Sequence, residues 1–240
     1  MAEKIILASG KGGVGKSSLT AGIAVALCSM DLDVLVIDFD IGMGCLDLIL
    51  DADNDGIFDW GDVIKGNCDY KAVIRATIGP DLIAAPSVFD DEYTLENIKK
   101  LISHYDNDYD YILFDAPAGL NGGFLLAAGC ADSGIIVSTA DEVCVRVGYT
   151  ASEKLIDMGI NNIKLVINRF DKRLTTQGHY LNIDEVIDAT VLNLIGVVPE
   201  DKKLSYCSVI GMRTLDKSPA KNAFGRIAKR LVGINVNLKI

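Results

Sequence analysis

Residues 10–17 read Gly-Lys-Gly-Gly-Val-Gly-Lys-Ser. The octet fits the pattern G-x-x-x-x-G-K-[ST], in which backbone N–H groups cradle phosphate oxygens, the last lysine reaches the β and γ oxygens and the hydroxyl ligates Mg²⁺. Lys16 and Ser17 are therefore the expected phosphate and metal groups, and Gly12, Gly13, Val14, Gly15 and Ser18 the expected lining. A second lysine, Lys11, sits inside the loop, where the nucleotide held by that loop does not require it. Carboxylates recur where a magnesium nucleotide needs them: Val34-Leu35-Val36-Ile37 runs into Asp38-Phe39-Asp40, and Tyr111-Ile112-Leu113-Phe114 into Asp115-Ala116-Pro117-Ala118-Gly119. Mg²⁺ at such sites keeps several waters, so Asp38 and Asp115 are expected to hold the ion through its hydration shell while Ser17 ligates it directly. Asp40, two residues beyond Asp38, is placed to reach the attacking water.

These groups need strands that end at a common edge, and the chain supplies them. The octet follows the apolar run Ile5-Ile6-Leu7-Ala8 and opens onto residues 17–30, with helical spacing at Leu19, Ile23, Ala26 and Leu27. Further strand-like runs occupy residues 34–37, 82–84, 111–114, 134–137, 165–167 and 195–198, separated by helical patterns at 95–102, 121–130, 145–158 and 183–192. This alternation predicts an α/β chain with the three-layer fold of phosphate-loop NTPases, a mostly parallel central sheet with helices on both faces. Ligands of such sheets bind beyond the carboxyl ends of the strands. A last helix is bounded by Ser218 as N-cap, Pro219 at its first position and Gly233 as its stop, with Ala220, Ala223, Phe224, Ile227 and Leu231 on one face. Residues 1–240 read as one domain, closed by a short tail at 234–240. In that tail apolar and polar residues alternate at period two with a single lysine, which predicts a frayed or edge-pairing strand rather than a membrane-anchoring amphipathic helix.

Composition bounds the function. Half of the 240 residues are hydrophobic, but no run approaches the roughly 20 apolar residues that span a bilayer. The N-terminal Met-Ala-Glu-Lys leads straight into the first strand, without the apolar stretch of a signal peptide. A cytoplasmic protein is expected, peripheral to a membrane only if an anchor lies elsewhere. The net charge of −10 disfavours nucleic acid as a partner. Six cysteines without a C-x-x-C pair predict free thiols, and His104 and His179 stand apart from any ligand pair. Arg169, Lys172 and Arg173 are expected to form a small solvated cluster on a loop.

With these pieces assembled, the sequence resembles the MinD/ParA family of deviant Walker A ATPases, its MinD group most closely, from Ile5 to about Gly233. The segments that carry the resemblance are Ser9-Gly10-Lys11-Gly12-Gly13-Val14-Gly15-Lys16-Ser17-Ser18, Ile37-Asp38-Phe39-Asp40-Ile41-Gly42 with Leu46-Asp47-Leu48-Ile49, Asp115-Ala116-Pro117-Ala118-Gly119, Glu142-Val143 with Arg146, and Gly196-Val197-Val198-Pro199-Glu200-Asp201. The resemblance implies ATP and Mg²⁺ as cofactors and a homodimer that forms with ATP, in which Lys11 crosses to the phosphates of the other copy and Glu142 is its partner across the interface. A lysine supplied in trans would stabilise charge as an arginine finger does in other NTPases. It further implies that Asp40 positions the hydrolytic water, that Asn168 lies near adenine and that Pro199, Glu200 and Asp201 close over the base. The expected role is a switch in placing the division septum, read or stimulated by a protein partner; a flagellar-number regulator and a ParA-like partitioning ATPase are the alternatives within the family. From another class, a nucleotide-binding adaptor without turnover is the alternative, against which Lys11 and Asp40 both argue. The sequence departs from the group at Gly44-Cys45, where an arginine-asparagine pair is usual, and in the tail, where a basic amphipathic helix is usual.

Overall fold

The structure is a computed structural model that describes residues 1–52, 57–207 and 211–239. The apolar runs become short buried strands, and their order across the sheet is β3-β4-β2-β5-β1-β6-β7-β8. The strands are β1 (Glu3–Ala8), β2 (Val34–Asp38), β3 (Ile74–Arg75), β4 (Asp81–Ile83), β5 (Tyr111–Asp115), β6 (Ser133–Ser138), β7 (Ile163–Phe170) and β8 (Asn193–Pro199). Among the described residues β3 runs antiparallel to β4 and the remaining pairings are parallel. The sequence reading did not include β3, because two residues are too few to leave a period.

Side chains alternate along the strands and so divide the core between two faces. Ile5, Leu7, Val34 and Val36 pack with Leu19, Ile23 and Leu27 of α1 (Lys16–Cys28), while Ile6, Ala8, Leu35 and Ile37 pack on the opposite face with Ile98 and Leu101. The second face is covered by α4 (Leu95–Ser103), α5 (Gly123–Ala128), α6 (Glu142–Asp157) and α8 (Ile183–Thr190), which follow α2 (Leu46–Leu50) and α3 (Trp60–Ile64); α7 (Lys172–Thr176) lies between α6 and α8, and α9 (Lys202–Ser205) comes after α8. Each such side chain stabilises the fold by roughly 1.5–3 kcal/mol on full burial. The four- and five-residue helices α2, α3, α7 and α9 are also additions to the sequence reading, being too short to show a helical stripe.

The last helix, α10 (Pro219–Leu231), forms as the sequence predicts: the Ser218 hydroxyl accepts from the N–H groups of Ala220 and Lys221, and Pro219 takes the first position. It packs beside α1, with Phe224 and Ile227 against the same core. Residues 234–239 correct the expectation for the tail. They form no strand and meet the last helix instead: Arg230 donates to the Val236 carbonyl at 2.8 Å and to the Ile195 carbonyl at 2.5 Å, and Arg226 donates to the Lys239 carbonyl at 2.9 Å. Extended chain lying on a helix has the same period-two pattern as an edge strand, so the pattern alone cannot separate them. Ile240 lies outside the described residues. No described helix is long and apolar enough to cross a membrane, and all six cysteines are free thiols.

Candidate functional site

The parallel register places the chemistry at one edge. Asp38 of β2 pairs with Asp115 of β5, and Leu7 of β1 pairs with Asp115 from the other side, so the loop of residues 9–15 leaves β1 beside both carboxylates. The loop ends at Gly15, with φ at 85° as the N-cap of α1. A Cβ there would stand 2.5 Å from Asn168 Nδ2, so glycine is required twice over, by backbone and by space. The first N–H groups of a 13-residue helix thus face the loop, an arrangement that favours an anion.

Lys16 does not wait in solvent. Its ammonium donates to Asp115 Oδ1 at 2.7 Å and lies 3.4 Å from the Ser17 hydroxyl, with Lys16 7% and Asp115 1% exposed. The hydroxyl of Thr20 donates to the same Asp115 oxygen at 2.7 Å and lies 3.1 Å from the Lys16 carbonyl. A buried pair of this kind offsets its desolvation only through good geometry and further hydrogen bonds, which Thr20 provides. Asp38 is left short of a cation: burial, then the charge of Asp115, pushes its carboxyl up to about 7, against the Asp40 N–H that it accepts at 2.8 Å and the charge of Lys16. Burial, ahead of the opposing charges of Lys16 and Asp115, also raises the Asp40 carboxyl. The described residues hold no cluster of three metal-ligating side chains, so a divalent cation here would draw on Asp38, Asp115 and the Ser17 hydroxyl together with its own waters and phosphate oxygens. Cys45 stands near the Ser17 hydroxyl; burial, then the charges of Asp38 and Asp115, raises its thiol and keeps it a poor nucleophile.

On the other side of the loop, Asn168 is buried near the end of β7. Its Nδ2 donates to the Val14 carbonyl at 2.8 Å, while its Oδ1 is buried without a hydrogen-bond partner among the described residues. An orphaned acceptor costs about 1–3 kcal/mol, and a base with an exocyclic amino group would satisfy it. A cavity of about 320 Å³ opens beside it, between Gly15, Ser18, Glu200 and Leu204. Pro199 ends β8, and Asp201 lines the same cavity while its carboxylate also serves the local fold. One of its carboxylate oxygens accepts from Lys203 N at 2.9 Å, and the other from Ser218 Oγ and from Ala220 N, so the carboxylate ties the starts of α9 and α10 together.

Arg169, Lys172 and Arg173 are all exposed, as expected of a solvated basic cluster, but Arg169 also has partners of its own. Its guanidinium pairs with Glu200 at 2.9 Å and donates to the Gly13 carbonyl at 3.3 Å, and its backbone is held at φ 55°, a strained value for a residue with a Cβ. Lys172 and Arg173 are exposed on α7 and take no part. Lys11 is exposed on a cavity of about 380 Å³ that Asp141 and Arg169 also line. Against burial, hydrogen bonds from Thr139 and Cys144 and the charge of Lys11 hold the Asp141 carboxyl below the usual carboxylate range. Within one chain, then, the acid facing Lys11 is Asp141; Glu142 is exposed at the first turn of α6. Thr20, Arg169 and Asp141 are additions to the site. Thr20 could have been found from its place one turn after Lys16 on α1, and Arg169 from its place next to Asn168.

Comparison with known proteins agrees with this geometry. The pattern of the CobQ/CobB/MinD/ParA nucleotide binding domain matches residues 5–212. The septum site-determining protein MinD of Helicobacter pylori is 35% identical over 251 residues, an alignment that covers 98% of this chain and 92% of that protein. A chain of the MinC:MinD cell division protein complex of Aquifex aeolicus superposes with a TM-score of 0.91 at 34% identity, covering 100% of this chain and 99% of that one. MinD of Pyrococcus horikoshii OT3, solved as a complex with Mg-ADP, superposes with a TM-score of 0.85 at 26% identity, covering 96% of each. The phosphate loop, the paired strand-end aspartates and these alignments along nearly the whole chain have one explanation: the chain belongs to the CobQ/CobB/MinD/ParA family of nucleotide-binding domains, in its MinD group.

Proposed function

We propose that the chain is a cytoplasmic ATPase switch that binds Mg²⁺ and ATP at residues 10–18, pairs with a second copy in the ATP state and separates on hydrolysis, in the service of placing the division septum. The observation that carries this reading is the buried Lys16–Asp115 pair with the under-neutralised Asp38 beside it. Lys16 is tethered where it can turn from Asp115 to the β and γ oxygens, and the N–H groups of residues 12–18 hold the phosphates. Ser17, Asp38 and Asp115 would hold Mg²⁺, which when bound neutralises charge on the phosphate oxygens. Thr20 keeps Asp115 aimed at that position. Asp40 accepts a hydrogen bond from the attacking water and so orients it. Asn168 Oδ1 accepts from the amino group of adenine, and the Arg169–Glu200 pair holds the segment of residues 199–201 against the loop. Lys11 serves the phosphates of the second copy, where Glu142 is its counter-charge. The Aquifex and Pyrococcus relatives, one in a complex with MinC and one with Mg-ADP, support the cofactors and a protein partner that reads the ATP state.

Size-exclusion chromatography with Mg-ATP and a turnover assay test the reading. The chain should dimerise and release phosphate; Lys16→Ala should lose tight ATP binding, and Lys11→Ala should bind ATP yet neither dimerise nor turn over. A chain that stays monomeric in ATP, or a Lys11 variant that dimerises and hydrolyses normally, would refute it.

A further inference from the structure

Asp38, Phe39 and Asp40 leave β2 as a turn, and one side chain from outside the phosphate loop and the strands holds that turn. Trp60, the only tryptophan of the chain, is fully buried at the start of α3. It is placed there by a capping box: the Asp59 carboxylate accepts from Gly61 N at 2.8 Å and Asp62 N at 3.3 Å, and Asp62 accepts from Asp59 N at 3.1 Å. From that position the indole Nε1 donates to the backbone carbonyl of Asp38 at 2.9 Å.

That carbonyl belongs to the peptide unit joining Asp38 to Phe39. The N–H of the same unit donates to the Asp115 carbonyl of β5 at 2.9 Å. In a planar trans peptide the C=O and N–H point in opposite directions, so a bond at each end sets the tilt of the plane. One bond comes from the sheet and the other from Trp60. The rings extend the hold: Trp60 packs on Phe39 at 5.8 Å between centroids, Phe39 packs edge-on to Phe114 at 5.5 Å, and Tyr93 closes on the far side of Trp60 at 4.7 Å. Phe39 lies between Asp38 and Asp40, and Phe114 immediately precedes Asp115. The cluster therefore touches the backbone next to each of the three carboxylates and none of the carboxylates themselves.

We propose that Trp60 is a positioning residue for hydrolysis, which through its N–H bond to Asp38 fixes the Asp38–Phe39 peptide, the unit from which the chain continues to Asp40 and so aims it at the water. The inference rests on the proposed role of Asp40. A tryptophan that only filled the core would need its ring and not its N–H, and this separates the two. Trp60→Phe keeps an aromatic ring and removes the donor. The variant should bind ADP with unchanged affinity, titrated with a fluorescent ADP analogue, while kcat falls by between about tenfold and ~10²-fold, the scale on which a misplacement of about 1 Å acts. A kcat within about twofold of the parent, or a parallel loss of affinity and kcat, would overturn it. The parent chain gives a second readout, needed if the variant fails to fold. In ¹⁵N-labelled protein the single indole N–H resonance should exchange slowly with solvent and shift when Mg-ATP is added; a resonance that Mg-ATP leaves unmoved would overturn the inference. If the parent chain releases no phosphate, the proposed function fails and takes this inference with it. An active parent with an equally active Trp60→Phe variant refutes the role of Trp60 alone.

Discussion

Replacing Asp38 with asparagine should make the nucleotide-free protein more stable at alkaline pH, and the gain should fade on acidification. Asparagine keeps the shape and keeps an oxygen for the Asp40 N–H, which Asp38 accepts at 2.8 Å, and it removes the charge. Burial, with Asp115 next, pushes the Asp38 carboxyl from 3.8 up to about 7 in the folded chain. A carboxyl raised by folding lends stability that is fully present below its unfolded value, and that stability is lost as pH rises through the folded value. Above about pH 7 the folded chain therefore carries the ionised group at full cost. A rise from 3.8 to about 7 corresponds to about 4 kcal/mol. Against a total stability of about 5–15 kcal/mol this is a large effect. Urea denaturation in EDTA without nucleotide, run on parent and variant from pH 4.5 to 8.5, cancels in the difference the titrating groups that do not sense Asp38. The variant should lead by about 4 kcal/mol at pH 8.5 and by about 1 kcal/mol or less at pH 4.5. A difference that does not vary with pH, or a variant less stable throughout, would show that Asp38 is comfortably ionised in the empty site.

Asp40→Ala should trap the ATP-bound dimer, with turnover reduced about 10²-fold or more and nucleotide affinity spared; a variant that elutes as a monomer in Mg-ATP counts against the water-orienting role. Gly15→Ala must hold a Cβ at φ 85° within 2.5 Å of Asn168 Nδ2, so calorimetry should show ATP affinity lower by at least about tenfold at a stability loss of about 1–2 kcal/mol; parent-like affinity would mean that Asn168 can retreat without consequence. Arg230→Met withdraws the donor from the carbonyls of Val236 and Ile195 and should speed amide exchange in residues 234–239, with about 1–3 kcal/mol of stability lost; unchanged exchange would show that the tail is held by other contacts.

The parts of the site that could be read in advance are those whose geometry is local. The octet carries its own spacing, and Asp38 and Asp115 each end an apolar run, so a parallel sheet brings them to one edge wherever the strands lie in order. Thr20 and Arg169 could be picked out by their places beside Lys16 and Asn168, but their partners could not, for the opposite reason. Thr20 acts on Asp115, 95 residues away, and Arg169 on Gly13, 156 residues away, and neither separation leaves a periodic trace. Glu142 and Asp141 are adjacent, and only the cap of α6, where Asp141 accepts from Cys144 N, decides which of them faces Lys11 within a chain. Trp60 reads as a core residue by type, and its N–H bond to Asp38 becomes visible only once α3 is placed.

In the empty site Lys16 and Asp115 neutralise each other, which leaves Asp38 without a cation of its own. An anion that arrived alone would draw Lys16 away and strand Asp115 beside Asp38, and breaking a buried pair in this way typically costs about 3–5 kcal/mol. A metal ion that arrived alone would meet Lys16 already in place on the carboxylate it seeks. Only a ligand that brings both signs together, phosphate oxygens for Lys16 and a cation for Asp115 and Asp38, exchanges each internal partner for a new one. The closed pair thus couples the affinity for the nucleotide to that for its metal.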